Sequence, residues 1–187
     1  MGGLKRLEYR GYDSAGLAIV GAEGPLVSHK RAGKLSILAD DLSVRPLAEG
    51  QTGIAHTRWA THGAPNDVNA HPHLADGGKL ALIHNGIIEN FQELKAELLA
   101  QGEQFVRETD SEVAALMIAR EFREMGNLTD AMKTVVARLE GAFTLLAVHA
   151  DAPSVVVGAR RNSPLVVGLG EGENFLGSDV AAFVAYT

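Results

Sequence analysis

The stretch Thr109–His149, TDSEVAALMIAREFREMGNLTDAMKTVVARLEGAFTLLAVH, decides the fold class. Thr109 with Glu112 three positions on has the spacing of a capping box, in which each side chain caps the other's backbone N–H. Val113, Leu116 and Met117 follow at helical spacing, and Gly126 suits a left-handed C-terminal cap. A second helix carries Leu128, Ala131, Met132, Val135, Val136 and Leu139 and closes at Gly141. The apolar run Ala142–His149 then reads as a strand, with further strands at Ser154–Ala159 and Leu165–Leu169. Asp151-Ala152-Pro153 and Arg161-Asn162-Ser163-Pro164 are the turns between them, and Ser178-Asp179 opens an apolar helix over Val180–Tyr186.

Upstream, Phe91, Leu94 and Leu98 mark an amphipathic helix that ends before Gly102. Lys79–His84 reads as a strand stopping at Asn85-Gly86, and Ala64–Gly78 as a long loop of the kind that carries function. Gly53–Arg58 is a short strand, and Leu35, Leu38 and Leu42 lie on a helix ended by Pro46. Gly16–Val20 and Leu26–Arg31 form a hairpin across Gly21–Pro25, preceded by a helix over Gly2–Glu8. Strands and short helices, then a helix pair, then strands do not make a regular strand–helix alternation. The order predicts an α+β fold with helices packed on sheets. No repeat, low-complexity tract or linker divides the chain, so the 187 residues read as one domain.

Seventeen basic against 23 acidic side chains give a formal charge of −6, which argues against a nucleic-acid partner. The absence of cysteine excludes disulfides, thiolate metal sites and a thiol nucleophile within these residues. Lys5, Arg6 and Glu8 interrupt the first apolar residues, so no signal-peptide core is present, and no apolar run could span a bilayer. The reading is a cytoplasmic protein with no membrane partner.

Polar chemistry gathers between His56 and His84, where His62, His71, His73 and the only tryptophan, Trp59, also lie. Arg58 at a strand end suits a carboxylate or phosphate, because its planar fork binds either in bidentate fashion; an internal acid is the alternative partner. Thr61 and His62 can add hydrogen bonds to the same anion. Asn85-Gly86 offers a side-chain amide and a backbone N–H that could converge as an oxyanion hole, although the dipeptide is also a common turn. Asp110, in the first turn of its helix, suits a substrate ammonium group or simply the helix dipole. Together these groups complement an α-amino acid with an amide side chain, glutamine or asparagine. His71 and His73 could face one metal ion, with Asp67 and Asp76 nearby, but no recognised ligand spacing occurs, so neither metal nor cofactor is expected.

Tyr9-Arg10-Gly11-Tyr12-Asp13-Ser14-Ala15-Gly16, the run His56–Gly63, His84–Asn90, Glu108–Glu112, Arg161–Leu165 and Ser178-Asp179 occur in fixed order. Together they resemble the glutaminase (type 2 glutamine amidotransferase) domain of the glutamine–fructose-6-phosphate aminotransferases, across essentially the whole chain. Amidophosphoribosyltransferases and asparagine synthetases share that fold but fit the first two blocks less well. The resemblance implies a four-layer αββα sandwich of the N-terminal-nucleophile hydrolase type, with the first strand missing from this chain. It implies that Arg58 binds the α-carboxylate of L-glutamine beside Thr61 and His62, and that Asp110 holds the α-ammonium. It further implies an oxyanion hole of Asn85 and Gly86, a pocket wall at Trp59 and support from behind by Arg10. Members pass ammonia from glutamine to sugar-phosphate domains that use fructose 6-phosphate, and they assemble as homodimers or higher oligomers. Their nucleophile is an N-terminal cysteine, which this sequence does not contain. The expectation is therefore an incomplete domain, cut at both ends, that does not hydrolyse glutamine by itself; a nucleophile-free amino-acid-binding module is the other reading.

Overall fold

Alternation along β5 (Leu80–Ile88) and β6 (Gly141–His149) explains how the layers form. The two strands pair antiparallel, with Leu80 opposite His149 and Ile88 opposite Gly141. Leu80, Leu82, Phe143 and Leu145 point to one face, where they pack with Val113 and Ile118 of α4 (Asp110–Met125) and Met132 and Val135 of α5 (Leu128–Arg138). Ala81, Ile83, Leu146 and Val148 point the other way, into a second apolar layer with Ala18, Val20 and Ile54. Those last three residues belong to β1 (Ser14–Val20) and β3 (Thr52–Arg58). On the far side of β1, Ala15 and Leu17 bury against Leu35 and Leu38 of α2 (Leu35–Val44). Three apolar seams thus separate helices, sheet, sheet and helix, which is the αββα order. A strand covered on both faces needs apolar residues at successive positions, hence the unbroken run Leu80–Ile83. Each buried leucine in these seams contributes roughly 1.5–3 kcal/mol.

The computed structural model describes residues 1–21, 25–47, 49–60 and 62–187. One sheet has the order β2-β1-β3, with β2 at Leu26–Ala32. The other has the order β4-β5-β6-β7, with β4 at His73–Ala75 and β7 at Ala152–Arg161. A separate hairpin joins β8 (Val166–Leu169) to β9 (Asn174–Gly177), and all pairings are antiparallel. The remaining helices are α1 (Gly2–Leu7) and α3 (Phe91–Ala100). Among the described residues no helix is long and apolar enough to cross a membrane. Residues 22–24 of the expected Gly21–Pro25 hairpin turn lie outside the described residues.

Several expectations are corrected. The strand from Lys79 does not stop at Asn85-Gly86 but continues to Ile88, because β6 pairs with it throughout. The long loop holds a strand of its own, β4, with His73 opposite Leu82, followed by a 3-10 turn at Asp76–Gly78. The strand run after the helix pair gains β9, and the apolar helix over Val180–Tyr186 is two 3-10 turns, Val180–Ala182 and Val184–Tyr186. The capping box does not close. The Thr109 hydroxyl meets His73 Nε2 at 3.2 Å, and the Glu112 carboxylate accepts the Val106 and Arg107 N–H groups at 3.2 and 2.8 Å. Tertiary partners have displaced the local cap. Gly126 does end α4 in the left-handed conformation, with φ of 65°, and Asn127 caps α5 by accepting from the Thr129 and Asp130 N–H groups.

Asp76 fastens the 3-10 turn. Its carboxylate accepts from His149 Nε2 at 3.2 Å and from Arg123 at 3.0 Å, while His149 Nδ1 accepts the Asp151 N–H at 3.0 Å. Partial burial raises its pKa, but the hydrogen bonds from Arg123 and His149 outweigh this and hold it below the ordinary value. The Asp76 backbone also has φ of 53°. Asp76→Ala should therefore cost about 2–3 kcal/mol in urea unfolding, since it orphans the buried His149 Nε2. Asp76→Asn retains an acceptor oxygen and tolerates positive φ, and should cost about 1 kcal/mol. Equal losses in the two variants would refute this account.

Candidate active site

Between the two sheets opens a cleft of about 1830 Å³. Arg58, Trp59, His62, Asn85, Gly86 and Asp110 all line it, as does Arg10. Thr61 lies outside the described residues.

Arg58 is the last residue of β3, opposite Ser14 of β1, and only 4% of its surface is exposed. Its guanidinium donates to the backbone carbonyls of His62, of Gly63 at 3.3 Å and of Ala64 at 3.4 Å. The Asp13 carboxylate stands 3.9 Å away and is itself anchored, accepting the Ala60 N–H and, at 2.9 Å, the Ser14 hydroxyl. Burial pulls the guanidinium pKa down, and the charges of Asp13 and Asp110 oppose that. Arg58 thus has an acid nearby and also lines the cleft. Trp59, 61% exposed, stands at the rim edge-on to Tyr12, with ring centroids 5.3 Å apart.

Asn85 pairs with Thr144 and Gly86 with Phe143, so the dipeptide sits inside a strand and not at a turn. Gly86 has φ of 127°, and a Cβ there would lie 2.1 Å from the Ala142 carbonyl oxygen. Only glycine fits, because both the backbone conformation and the neighbouring strand exclude a side chain.

Asp110 opens α4 with 3% of its surface exposed. One carboxylate oxygen accepts the Ile88 N–H at 2.9 Å, which ties the helix start to the end of β5. The other oxygen accepts the Ser111 hydroxyl at 3.4 Å and lies 3.7 Å from His84 Nδ1, while Ser111 Oγ and His84 Nδ1 are 2.8 Å apart. Arg10 donates to the Ser178 carbonyl at 3.2 Å and to its hydroxyl at 3.4 Å, and Asp179 is 3.7 Å away. It thereby joins the N-terminal segment to the turn after β9.

The structure also brings to the site groups that the sequence reading did not assign to the amino-acid pocket. Asp13 comes to Arg58 through the β1–β3 register, which local pattern does not reveal. His56, His71 and His84 line the cleft, and the His71 ring packs on His56 at 4.4 Å and on His73 at 4.5 Å. Burial lowers the pKa of all four; His56 falls to about 3, and His71 and His73 well below the ordinary value, with neighbouring cations adding to the effect. Asp110 opposes the fall at His84. Among the described residues no group of three or more His, Asp or Glu is arranged to hold a metal ion.

A sandwich whose inter-sheet cleft gathers a buried Arg, a buried Asp and a strand-embedded Asn-Gly pair agrees with what comparison with known proteins finds. The glutamine amidotransferase domain family matches residues 56–185, and the chain belongs to that family. Over its whole length the chain is 67% identical to glutamine–fructose-6-phosphate aminotransferase (isomerizing) of Leifsonia xyli subsp. xyli, and 64% identical to the enzyme of that name from Streptomyces coelicolor. It spans about 30% of the length of those relatives. A solved glutamine phosphoribosylpyrophosphate amidotransferase from B. subtilis, complexed with ADP and GMP, superposes with a TM-score of 0.81 at 28% identity, covering 98% of this chain and 39% of that one. A structure of the allosteric regulatory enzyme of purine biosynthesis gives 0.84 at 28% identity, covering 99% and 40%.

Proposed function

We propose that the cleft binds L-glutamine, and that this domain is the glutamine-handling part of a longer cytoplasmic enzyme. That enzyme would move the amide nitrogen of glutamine to fructose 6-phosphate, giving glucosamine 6-phosphate and glutamate. The observation that carries the binding site is that Arg58, Asp110 and the Asn85–Gly86 pair open on one cleft. The acceptor sugar rests on the names of the relatives, and its binding domains would lie elsewhere in a homodimeric or larger assembly. The whole of residues 1–187 would be one type 2 glutamine amidotransferase domain.

In this reading the α-carboxylate takes over the Arg58 donors that now reach the carbonyls of residues 62–64. A charged acceptor makes stronger hydrogen bonds than neutral carbonyls, which favours the exchange. Thr61 and His62 would complete the carboxylate site, and Trp59 would close its rim. Asp110 would take the α-ammonium on the oxygen not engaged by Ile88. Asn85 and Gly86 would stabilise the oxyanion formed on the carboxamide carbon. Arg10 would brace the wall through Ser178.

Bond cleavage needs a nucleophile, and these 187 residues hold no cysteine. The zero cysteine count favours, for these residues alone, binding without hydrolysis. Pure chain should release ammonia from glutamine at the background rate; release clearly above it would refute this.

Trp59 is the only tryptophan and stands at the rim, so its fluorescence reports occupancy directly. Glutamine should change it saturably. Asp110→Asn should weaken glutamine about 30-fold, because one charge-assisted hydrogen bond is worth roughly 2 kcal/mol. The same variant should leave glutaramate, which lacks the α-amino group, unaffected. Equal weakening of both ligands would remove Asp110 from the ammonium role.

A further inference from the structure

Two segments supply the carboxylate and ammonium ends of the proposed pocket. The turn 62–64 follows Arg58 and carries the carbonyls to which its guanidinium donates. Residues 108–110 lead into α4 and deliver Asp110. One buried side chain joins the two segments. Asn69, 1% exposed, donates through Nδ2 to the Ala64 carbonyl at 3.1 Å and to the Glu108 carboxylate at 3.2 Å. Its Oδ1 accepts the Glu108 N–H at 3.2 Å. The Glu108 carboxylate also accepts the Ala64 N–H at 3.4 Å. Two acceptors on one side of the amide and a donor on the other fix which way it points, and both of its N–H groups have acceptors.

The bridge is itself held in place. The Asn69 N–H donates to Asn66 Oδ1 at 2.8 Å and the Ala70 N–H to the Asn66 carbonyl at 3.0 Å, which closes a turn around it. The Lys30 ammonium donates to the Val68 and Ala70 carbonyls at 3.0 and 2.8 Å, and so pins the backbone on either side. Arg107 donates to the same Val68 carbonyl at 3.2 Å. Gly63 has φ of 77°, and a Cβ on it would lie 2.8 Å from Asn69 Nδ2 and 3.2 Å from Glu108 Cβ. Glycine there lets the turn close on the amide. When an α-carboxylate takes the Arg58 donors, the Ala64 carbonyl keeps the Asn69 amide and, at 3.0 Å, the Asn66 N–H. The bridge therefore outlasts the exchange that occupancy requires.

We propose that Asn69 is a positioning residue: it sets the spacing between the carboxylate and ammonium ends of the pocket, so that one small zwitterion engages both at once. This rests on the glutamine reading. A second contact adds its full strength only when the first has already placed its partner, and an error of about 1 Å cancels much of that gain. A ligand that touches one end alone gains nothing from the spacing.

The observable is a ratio, the Kd of glutaramate over the Kd of glutamine, read from Trp59 fluorescence on one sample. It reports what the ammonium end adds to the carboxylate end. A variant that merely unfolds part of the protein weakens both ligands by one factor and leaves the ratio alone. Asn69→Ala should lower the ratio about tenfold. Glu108→Ala, at an exposed position, removes one end of the bridge and should lower it about threefold. Glu108→Gln keeps an acceptor oxygen and should hold the ratio near that of the unaltered chain. Equal weakening of glutamine and glutaramate in both alanine variants would overturn the positioning role and leave the glutamine reading intact. Should Asn69→Ala fail to fold, the two Glu108 variants decide, and equal ratios in them would overturn the proposal. Glutamine that fails to bind the unaltered chain would refute the glutamine reading itself, and the positioning role with it.

Discussion

Acidification from about pH 7 to about pH 5 should remove a large fraction of the protein's stability. The sign follows from protons bound. His71 and His73 are buried, and burial holds their pKa values well below the ordinary 6.5, so in that range the folded state takes up fewer protons on them than the unfolded chain does. The unfolded chain does take up protons once the pH falls below 6.5, so it is favoured progressively. Stability from these groups is complete above that value and is lost as pH falls toward their folded pKa values. His56, whose pKa falls to about 3, contributes a loss of about 2 kcal/mol between pH 7 and 5, and His71, His73 and His84 act in the same direction. Against a typical total of roughly 5–15 kcal/mol this is a large fraction. Urea midpoints measured across the range should fall steeply with acid, and His71→Phe should flatten the fall while leaving the midpoint near pH 7 less changed. A midpoint independent of pH in this window would show that these rings are solvated or charged in the native state.

Gly86→Ala should be the most damaging single methyl group that can be added to the inter-sheet cleft wall. The added carbon meets the Ala142 carbonyl oxygen at 2.1 Å and the Phe143 Cα at 2.7 Å, both of them backbone. Relief requires β5 and β6 to part at the centre of their pairing, where Asn85 meets Thr144 and Gly86 meets Phe143. The positive φ adds strain of its own. A loss above about 4 kcal/mol is expected, read as a collapse in soluble yield or in urea midpoint. Gly126→Ala is the control. Gly126 has a left-handed φ of 65° but nothing within 4 Å of the added carbon, so it should lose only about 1 kcal/mol. If the two variants behave alike, conformation and not contact governs Gly86.

Much of the architecture is legible in the residues. The helix pair over 110–138 follows from its 3.6-residue period and from the stop at Gly126. The strands at β1 and β6 follow from short apolar runs between turn residues. Arg58, Asn85, Gly86 and Asp110 stand out as polar groups at element ends or next to glycine, and the structure brings all of them to one cleft.

Other features had no local signature. Thr109 and Glu112 have capping-box spacing, but His73 and the Val106 and Arg107 N–H groups claim their oxygens. Asn85-Gly86 has the composition of a turn, yet nine residues of cross-strand pairing hold β5 straight through it. β4 is too short to read from three residues, and it exists only because Leu80–Leu82 lies alongside. In each case a backbone or side-chain group had two possible partners, and the distant one won.

Composition and period alone therefore determined an acidic, cysteine-free α+β chain and singled out Arg58, Asn85, Gly86 and Asp110, which the structure places on one cleft. Only the tertiary structure decided that Asp13 approaches Arg58, that Asp110 grips the end of β5, and that His56, His62, His71 and His84 share the cleft wall. The physical reason is range: hydrophobic periodicity is set by residues a few positions apart, whereas hydrogen bonds and charge are settled between strands and helices tens of residues apart, once burial has removed water as the competing partner.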